Sequence, residues 1–215
     1  MKFKKTDILA VLVLAATLIQ LIIIYPSLPE KVVTNWGFDG QVSYGGKGTV
    51  WVLYGLNVFM MIMFFIIPKI DPKGKSYQKI DGFYTSFRLV MVIFISAMLE
   101  IVILSANNPY RFNVGKIVMI SVSLLFIFIG NYLPKCKQNY TMGIKNMWTL
   151  ADERVWRDTH RIGGVVFVLS GVVSAVLGFI LPENIYSMVF FAIVFVPLII
   201  TFIYSYFSYK KYNLQ

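Results

Sequence analysis

The strongest constraint on the fold is a series of long, continuously apolar segments. Six of them lie at about residues 7–25, 50–68, 85–105, 115–133, 162–182 and 186–208. Each can cross a bilayer as a helix, which needs roughly 20 apolar residues. Helices are favoured over strands because the segments do not alternate, and because a helix satisfies its backbone groups within its own segment. We therefore predict an all-α integral membrane protein, a bundle of six transmembrane helices.

Composition supports lipid as the solvent of these segments. Hydrophobic residues make up 58% of the 215 positions and charged residues only 14%. This is more apolar surface than the core of a soluble domain requires. The excess is expected to face lipid.

The positive charges lie between the apolar segments and predict the orientation. With the N-terminus inside, 16 of the 20 Lys and Arg residues fall on the cytoplasmic side, in agreement with the positive-inside rule. The C-terminus is then inside as well. The net charge of +10 follows from this placement and from attraction to anionic membrane lipids, so no direct nucleic-acid partner is expected.

Two connections between spans are long enough to fold. Residues 26–49 are expected outside the cell, and residues 134–161 are expected in the cytoplasm. The other connections are interpreted as simple connectors. Three spans separate the two long connections, so the chain is also predicted to consist of two inverted three-helix halves.

Glu100 is a candidate functional residue inside an apolar span. An ionisable group at that depth is costly unless it is paired, protonated or in contact with water. Arg111 and Lys116, near the outer ends of the third and fourth spans, are possible partners. The alternative interpretation places Glu100 close enough to the outer interface to be hydrated.

Catalytic and metal-binding patterns are weak in this chain. The single cysteine, Cys136, and the single histidine, His160, provide no set of zinc ligands. No nucleotide-binding or zinc-helix motif occurs. His160 is near Asp158, but no nucleophile is visibly paired with it, so we predict no metal, no cofactor and no enzymatic activity. Cys136 is expected just inside the cytoplasmic face, where a maleimide would label it only in opened membranes.

Two local features of the fifth span and its approach allow further predictions. Thr149 and Asp152 have the spacing of a helix cap, which predicts a short amphipathic helix from about residue 150 to 161 leading into the span. Within the span, Gly171 and Ala175 are small residues at four-residue spacing, which indicates close packing against a neighbouring helix.

The inner connection carries an ordered series of motifs. Its candidate site residues are Asn131, Asn139, Gly143, Lys145, Trp148, Thr149, Trp156, Thr159, His160 and Arg161. The series, which ends in Thr-His-Arg-Ile-Gly-Gly, resembles the signature of the SdpI family of bacterial immunity proteins. The outer connection is similar to the small membrane domain of unknown function that usually forms the N-terminal part of such proteins, and its candidate site residues are Trp36, Asp39, Gly40, Tyr44 and Lys47.

The resemblance implies a domain division and a function. Residues 1–85 would form the N-terminal membrane domain and residues 86–215 the SdpI-like domain. The protein would be a multi-pass protein of the bacterial plasma membrane that protects its cell from a secreted, membrane-active peptide toxin. It would also hold an ArsR-like cytoplasmic autorepressor at the membrane, if that second role of the family carries over. The alternatives are a small transporter or channel, supported by Glu100 and a kink at Pro197, and a membrane enzyme acting on lipid or cell-wall precursors with Asp152, Glu153 and His160 at the inner surface.

Overall fold

A computed structural model describes residues 3–37 and 41–213 of the chain. Six of its helices are long and apolar enough to cross a membrane, which confirms the predicted bundle of six spans. The long helices are α1 (Lys5–Ile24), α2 (Thr49–Ile70), α4 (Asp81–Ser105), α5 (Val114–Tyr132), α7 (Glu153–Ile180) and α8 (Glu183–Asn213), and the short ones are α3 (Lys75–Lys79) and α6 (Met147–Ala151).

A β-hairpin, which the sequence analysis did not anticipate, lies between α1 and α2. Strand β1 (Lys31–Trp36) pairs antiparallel with strand β2 (Val42–Gly46), and a bulge interrupts the register between Val33 and Asn35. Short runs of β-branched and aromatic residues favour such strands. The described residues of the first long connection therefore form an ordered hairpin.

The chain divides into two compact units. The first consists of Met1–Ile66 and Gly82–Ile117, and the second of Ile67–Asp81 and Val118–Gln215. Each unit thus contains three of the long helices, with most of α5 in the second. The domain division at residue 85, which the family resemblance implies, stays a prediction. The inverted relation of the two three-helix halves also stays a prediction.

The core of the first unit joins the hairpin to the ends of three helices. Buried Val32 of β1 packs in one cluster with Leu21 of α1, Val50 of α2 and Leu99 of α4. This cluster holds the hairpin on the helix ends.

Glycines bring α5 and α7 into close contact in the second unit. A Cβ atom added to Gly171 would lie 2.6 Å from the carbonyl oxygen of Ser123. The hydroxyls of Ser123 and Ser174 are 2.8 Å apart and join the same two helices. Small residues allow this approach, so the predicted close packing of the fifth span is confirmed. Pro197 lies inside α8, and the kink there stays a prediction.

The approach to α7 differs from the predicted cap. Asn146, rather than Thr149, is the N-cap of α6, and Thr149 occupies the third helical position. Asp152 then caps α7, which begins at Glu153 and continues without interruption through the span. The predicted lead-in to the fifth span is therefore confirmed, but its start and its capping residue were wrong.

Candidate functional site

Asn139 organises the segment that joins α5 to α7 and includes the first turns of α7, which we call the signature loop (residues 134–161). Its side chain is fully buried. The amide oxygen accepts hydrogen bonds from the backbone N–H groups of Thr141 (2.9 Å) and Met142 (2.6 Å), and the amide nitrogen donates to the carbonyl of Lys137 (2.8 Å). One side chain thereby satisfies several backbone groups of a tight turn.

Asp71, which the sequence analysis missed, attaches the connection between α2 and α4 to the signature loop. Its carboxylate accepts hydrogen bonds from the backbone N–H groups of Lys73 (2.8 Å) and Tyr140 (3.1 Å) and from the hydroxyls of Tyr77 (2.8 Å) and Thr141 (3.1 Å). Burial alone would raise the pKa of Asp71, but these donors stabilise the charged form and lower the pKa below its usual value. The interpretation of this connection as a simple connector was wrong.

We call the contact between residues 71–77 and residues 138–141 the Asp71 clasp. The hydroxyl of Tyr77 also lies 3.2 Å from the amide oxygen of Asn139, so the two organising side chains are directly linked. Ser76 donates to the carbonyl of Gln138 at 2.9 Å. Gln138 in turn donates to the carbonyl of Thr149 at 2.8 Å. The clasp is therefore linked to α6.

His160 has a structural environment. Its Nε2 accepts the backbone N–H of Ile144 at 3.0 Å, so Nδ1 carries the proton and donates to the carbonyl of Trp156 at 2.8 Å. The ring is fully buried and stacks on the indole of Trp156 at 4.0 Å. Both nitrogens are occupied by backbone groups, which disfavours a role in proton transfer.

Gly143 occupies the space in front of this ring pair. Its φ of +112° lies in the region that favours glycine, and an added Cβ would meet both His160 and Trp156. The position of Gly143 in the signature thus has a geometric reason.

Cys136 is not available as a topology reporter in the native fold. The residue is 5% exposed, and Trp156 donates its indole N–H to the Cys136 carbonyl at 2.9 Å. Burial raises the pKa of the Cys136 thiol to about 11, although the Asn139 amide lowers it in part. Since the thiolate is the reactive form, maleimide labelling in opened membranes is expected to be slow, which corrects the prediction made for this residue.

Three further signature residues support the same loop. Lys145 donates from Nζ to the carbonyls of Tyr140 (3.1 Å) and Thr141 (2.7 Å). The Thr149 hydroxyl donates to the carbonyl of Ile144 at 2.9 Å. Trp148 packs edge-on against Phe202 of α8 at 5.0 Å. These side chains stabilise the loop.

The remaining signature residues are placed differently. Asn131 is exposed and donates to the carbonyl of Ile127 in its own helix at 2.9 Å. Thr159 is fully buried. Arg161 is exposed on α7. Arg161 is therefore a signature side chain whose guanidinium is open to a partner.

Only some of the candidate site residues of the outer connection are exposed at the hairpin. Trp36 is half-buried and donates its indole N–H to the carbonyl of Pro109 at 3.3 Å. Lys47 pairs with Glu30 at 2.9 Å, and this contact raises the pKa of Lys47. Tyr44 is 52% exposed. Asp39 and Gly40 lie outside the residues that the structure describes.

Glu100 pairs with a residue of α1. The side-chain amide of Gln20 donates to the Glu100 carboxylate at 2.6 Å. The partners predicted for Glu100 from the sequence were cationic, and Gln20 was not among them. A lone glutamine in an apolar span gives no local signal of the helix that it faces.

The fold and the site define a class: a multi-pass membrane protein in which a polar loop, fastened by buried hydrogen bonds, joins two of the spans. Residues 135–205 match the SdpI/YfhL protein family, and residues 12–58 match a domain of unknown function, DUF1648. Over 209 residues, 97% of this chain and 98% of the relative, it is 27% identical to the immunity protein SdpI of Bacillus subtilis (strain 168). The resemblance to the SdpI family that the motifs predicted is thereby confirmed. No solved structure matches the chain.

Proposed function

We propose that this protein is an immunity protein of the bacterial plasma membrane that protects its cell from a secreted, membrane-active peptide toxin. The observation that carries the proposal is the similarity to an immunity protein along 97% of this chain and 98% of that relative. A similarity that extends over both full lengths supports a shared function more strongly than one shared motif does. The protein would act by binding the toxin.

The geometry of the signature loop supports binding rather than chemistry. His160 has both ring nitrogens engaged by backbone groups. Asp152 caps α7 and pairs with Arg154 at 2.7 Å. These contacts disfavour the alternative of a membrane enzyme, for which these residues were the candidates.

Protection of a sensitive bacterium tests the proposal. Expression of the wild-type chain should raise survival in the presence of the cognate peptide while the peptide stays intact in the medium. Peptide loss in proportion to survival would indicate a degrading enzyme instead. Equal survival with the chain and with an empty vector would reject the immunity function.

The proposal includes the orientation in which both termini lie in the cytoplasm. A labelling test of this orientation requires introduced cysteines, because Cys136 is buried. Lys137→Cys and Ser43→Cys place a thiol at exposed positions of the signature loop and of the hairpin, each in a Cys136→Ser background. An impermeant maleimide should label the hairpin cysteine in intact cells and the loop cysteine only in opened membranes. The reverse pattern would invert the topology.

Capture of a cytoplasmic autorepressor is a finer proposal for the same protein. The exposed guanidinium of Arg161 is available to such a partner, and Arg is common among residues that dominate interfaces. If the role holds, an ArsR-like repressor encoded beside this chain should move to the membrane fraction after toxin treatment. A repressor that stays soluble would limit the function to immunity.

A further inference from the structure

One face of α4 carries several of the polar residues of the first unit. Arg88, Ser96 and Glu100 lie at spacings of eight and four residues, so they form a stripe that turns gradually along this face of the helix. This face meets polar residues of α1 and α2. Its two ends differ in their charge balance.

At the first end of this face, the charge of Arg88 is balanced by an acidic partner. Arg88 and Asp7 of α1 are 2.7 Å apart, and both side chains are fully buried. The guanidinium also lies 4.2 Å from the ring centre of Phe65. A buried charge that is paired in this way does not require a ligand.

Neutral groups occupy the middle of the face. The amide of Asn57 in α2 donates to the Ser96 hydroxyl at 3.0 Å and to the carbonyl of Val92 at 3.1 Å. Thr17 of α1 donates to the Ser96 hydroxyl at 3.4 Å. These bonds connect three helices without adding a charge.

The second end carries a carboxylate with only an amide beside it. Gln20 donates to one oxygen of Glu100 at 2.6 Å, but an amide does not neutralise a charge. The other carboxylate oxygen and the Gln20 carbonyl oxygen are acceptors with no described partner. Both residues are half-buried, so the pair is open to a ligand.

The Gln20–Glu100 pair lies near the end of α4 that packs against the hairpin. Glu100 lies five residues before the end of α4 at Ser105, a rise of about 8 Å along a helix. Ile103, in the next turn, packs in the cluster that contains Val32 of β1. Leu99, directly before Glu100, belongs to the same cluster, so the carboxylate lies at the level of the core that holds the hairpin.

We propose that Gln20 and Glu100 bind a cationic group, the ammonium of Lys or the guanidinium of Arg, carried by a membrane-inserted peptide. The assignment rests on the proposed immunity function, and it names the chemistry by which the toxin is recognised. Ammonium and guanidinium groups are donors only, and they match a carboxylate and a carbonyl oxygen that still accept. A cation also removes the cost of an unbalanced charge inside a span.

Two synthetic transmembrane peptides test the site with the full-length protein in lipid nanodiscs. One is an apolar helix with a single Lys about 8 Å from one end of its apolar stretch, and the other has Leu at that position. The wild type should bind the Lys peptide about tenfold more tightly, as expected for one charge-assisted contact. Glu100→Gln should abolish this preference, and Gln20→Met should reduce it. The matched control Glu153→Gln removes an exposed carboxylate from α7 and should preserve it.

The outcomes separate the site from the function. Equal binding of both peptides by the wild type would overturn the site. A preference that survives Glu100→Gln, with normal membrane abundance, would also overturn it. If the preference depends on Glu100 but the wild type protects no cell, the immunity function fails while the site stands.

Discussion

At the residue scale, Asp71 shows how one carboxylate holds two segments together. Residues 71 and 141 are far apart in sequence, yet the Asp71 carboxylate accepts donors from its own connection and from the signature loop. Hydrogen bonds to a charged group contribute about 1.5–3 kcal/mol each. Beneath this contact, Asn139 lies 3.7 Å from the sulfur of Cys136, so the thiol is sensitive to the clasp.

The Asp71→Asn variant is expected to expose Cys136. The asparagine side chain has an NH2 group in place of one carboxylate oxygen, and this group donates hydrogen bonds instead of accepting them. Part of the clasp must therefore break. The rate of Cys136 alkylation in opened membranes should rise about tenfold if opening becomes easier by ~1.4 kcal/mol. Lys75→Ala, an exposed position in α3, is the matched control and should leave the rate unchanged. An unaltered rate in Asp71→Asn at normal abundance would contradict the clasp.

The Gly143→Ala variant is expected to destabilise the signature loop by about 1–3 kcal/mol, since alanine disfavours a positive φ and the new methyl would meet His160 and Trp156. Thermal unfolding in detergent measures the effect. Gly55→Ala is the control, because it lies within α2 with open space at the Cβ position. Helix propensity predicts that this control is neutral or stabilising. Equal melting of the two variants would reject the geometric role of Gly143.

At the element scale, the contact between α5 and α7 depends on the backbones approaching each other. Ser123 of α5 and Ser174 of α7 exchange a hydrogen bond at 2.8 Å, and Tyr186 of α8 lies 3.3 Å from Ser174. In lipid, apolar burial does not drive helices together, so close packing and interhelical hydrogen bonds carry the association. A methyl group at this contact should therefore matter more than it would at a lipid-facing position.

The Gly171→Ala variant should destabilise the second unit despite the better helix propensity of alanine. The added Cβ would lie 2.6 Å from the Ser123 carbonyl and 2.9 Å from the Ile127 nitrogen, both backbone atoms, so the helices must separate. A loss of about 1–3 kcal/mol is typical of overpacking. The control Val172→Leu changes an exposed side chain of the same helix. Thermal unfolding that is unchanged or improved in Gly171→Ala would indicate that α5 and α7 are not closely packed.

At the scale of the whole molecule, the candidate binding residues belong to separate compact units. Tyr44 of the hairpin is exposed in the first unit, and Arg161 is exposed in the second. Trp36 is anchored to the Pro109 carbonyl, so its removal would disturb the hairpin itself. Tyr44 is thus the better probe of a toxin contact.

If the proposed orientation holds, Tyr44 is expected to contribute to toxin binding and Arg161 to repressor capture. Tyr44→Ala should weaken toxin binding and survival together, since a truncated interface aromatic costs about 2 kcal/mol or more when it is a hot spot. Arg161→Ala should spare toxin binding and impair repressor capture. Toxin binding, survival and membrane abundance are measured for both variants. Equal loss of toxin binding in both, at normal abundance, would reject the division.

The sequence by itself determined the spans, the close packing of the fifth span and the family resemblance. These features are local: a span is a continuous apolar run, small residues recur at helical spacing, and the signature is an ordered motif series. Hydropathy and periodicity record such properties directly. The charge distribution supplied the proposed orientation in the same way.

Only the tertiary structure decided which polar residues meet. Gln20 contacts Glu100, which is 80 residues away in the sequence, and Asp71 contacts Thr141, which is 70 residues away. Arg88, counted in the sequence among the cytoplasmic charges, is buried against Asp7. Cys136, expected to be accessible, is enclosed by the loop that follows it. Such contacts depend on how separate helices and loops pack, and a buried polar group is satisfied by whichever partner the packing brings near, which no local pattern specifies.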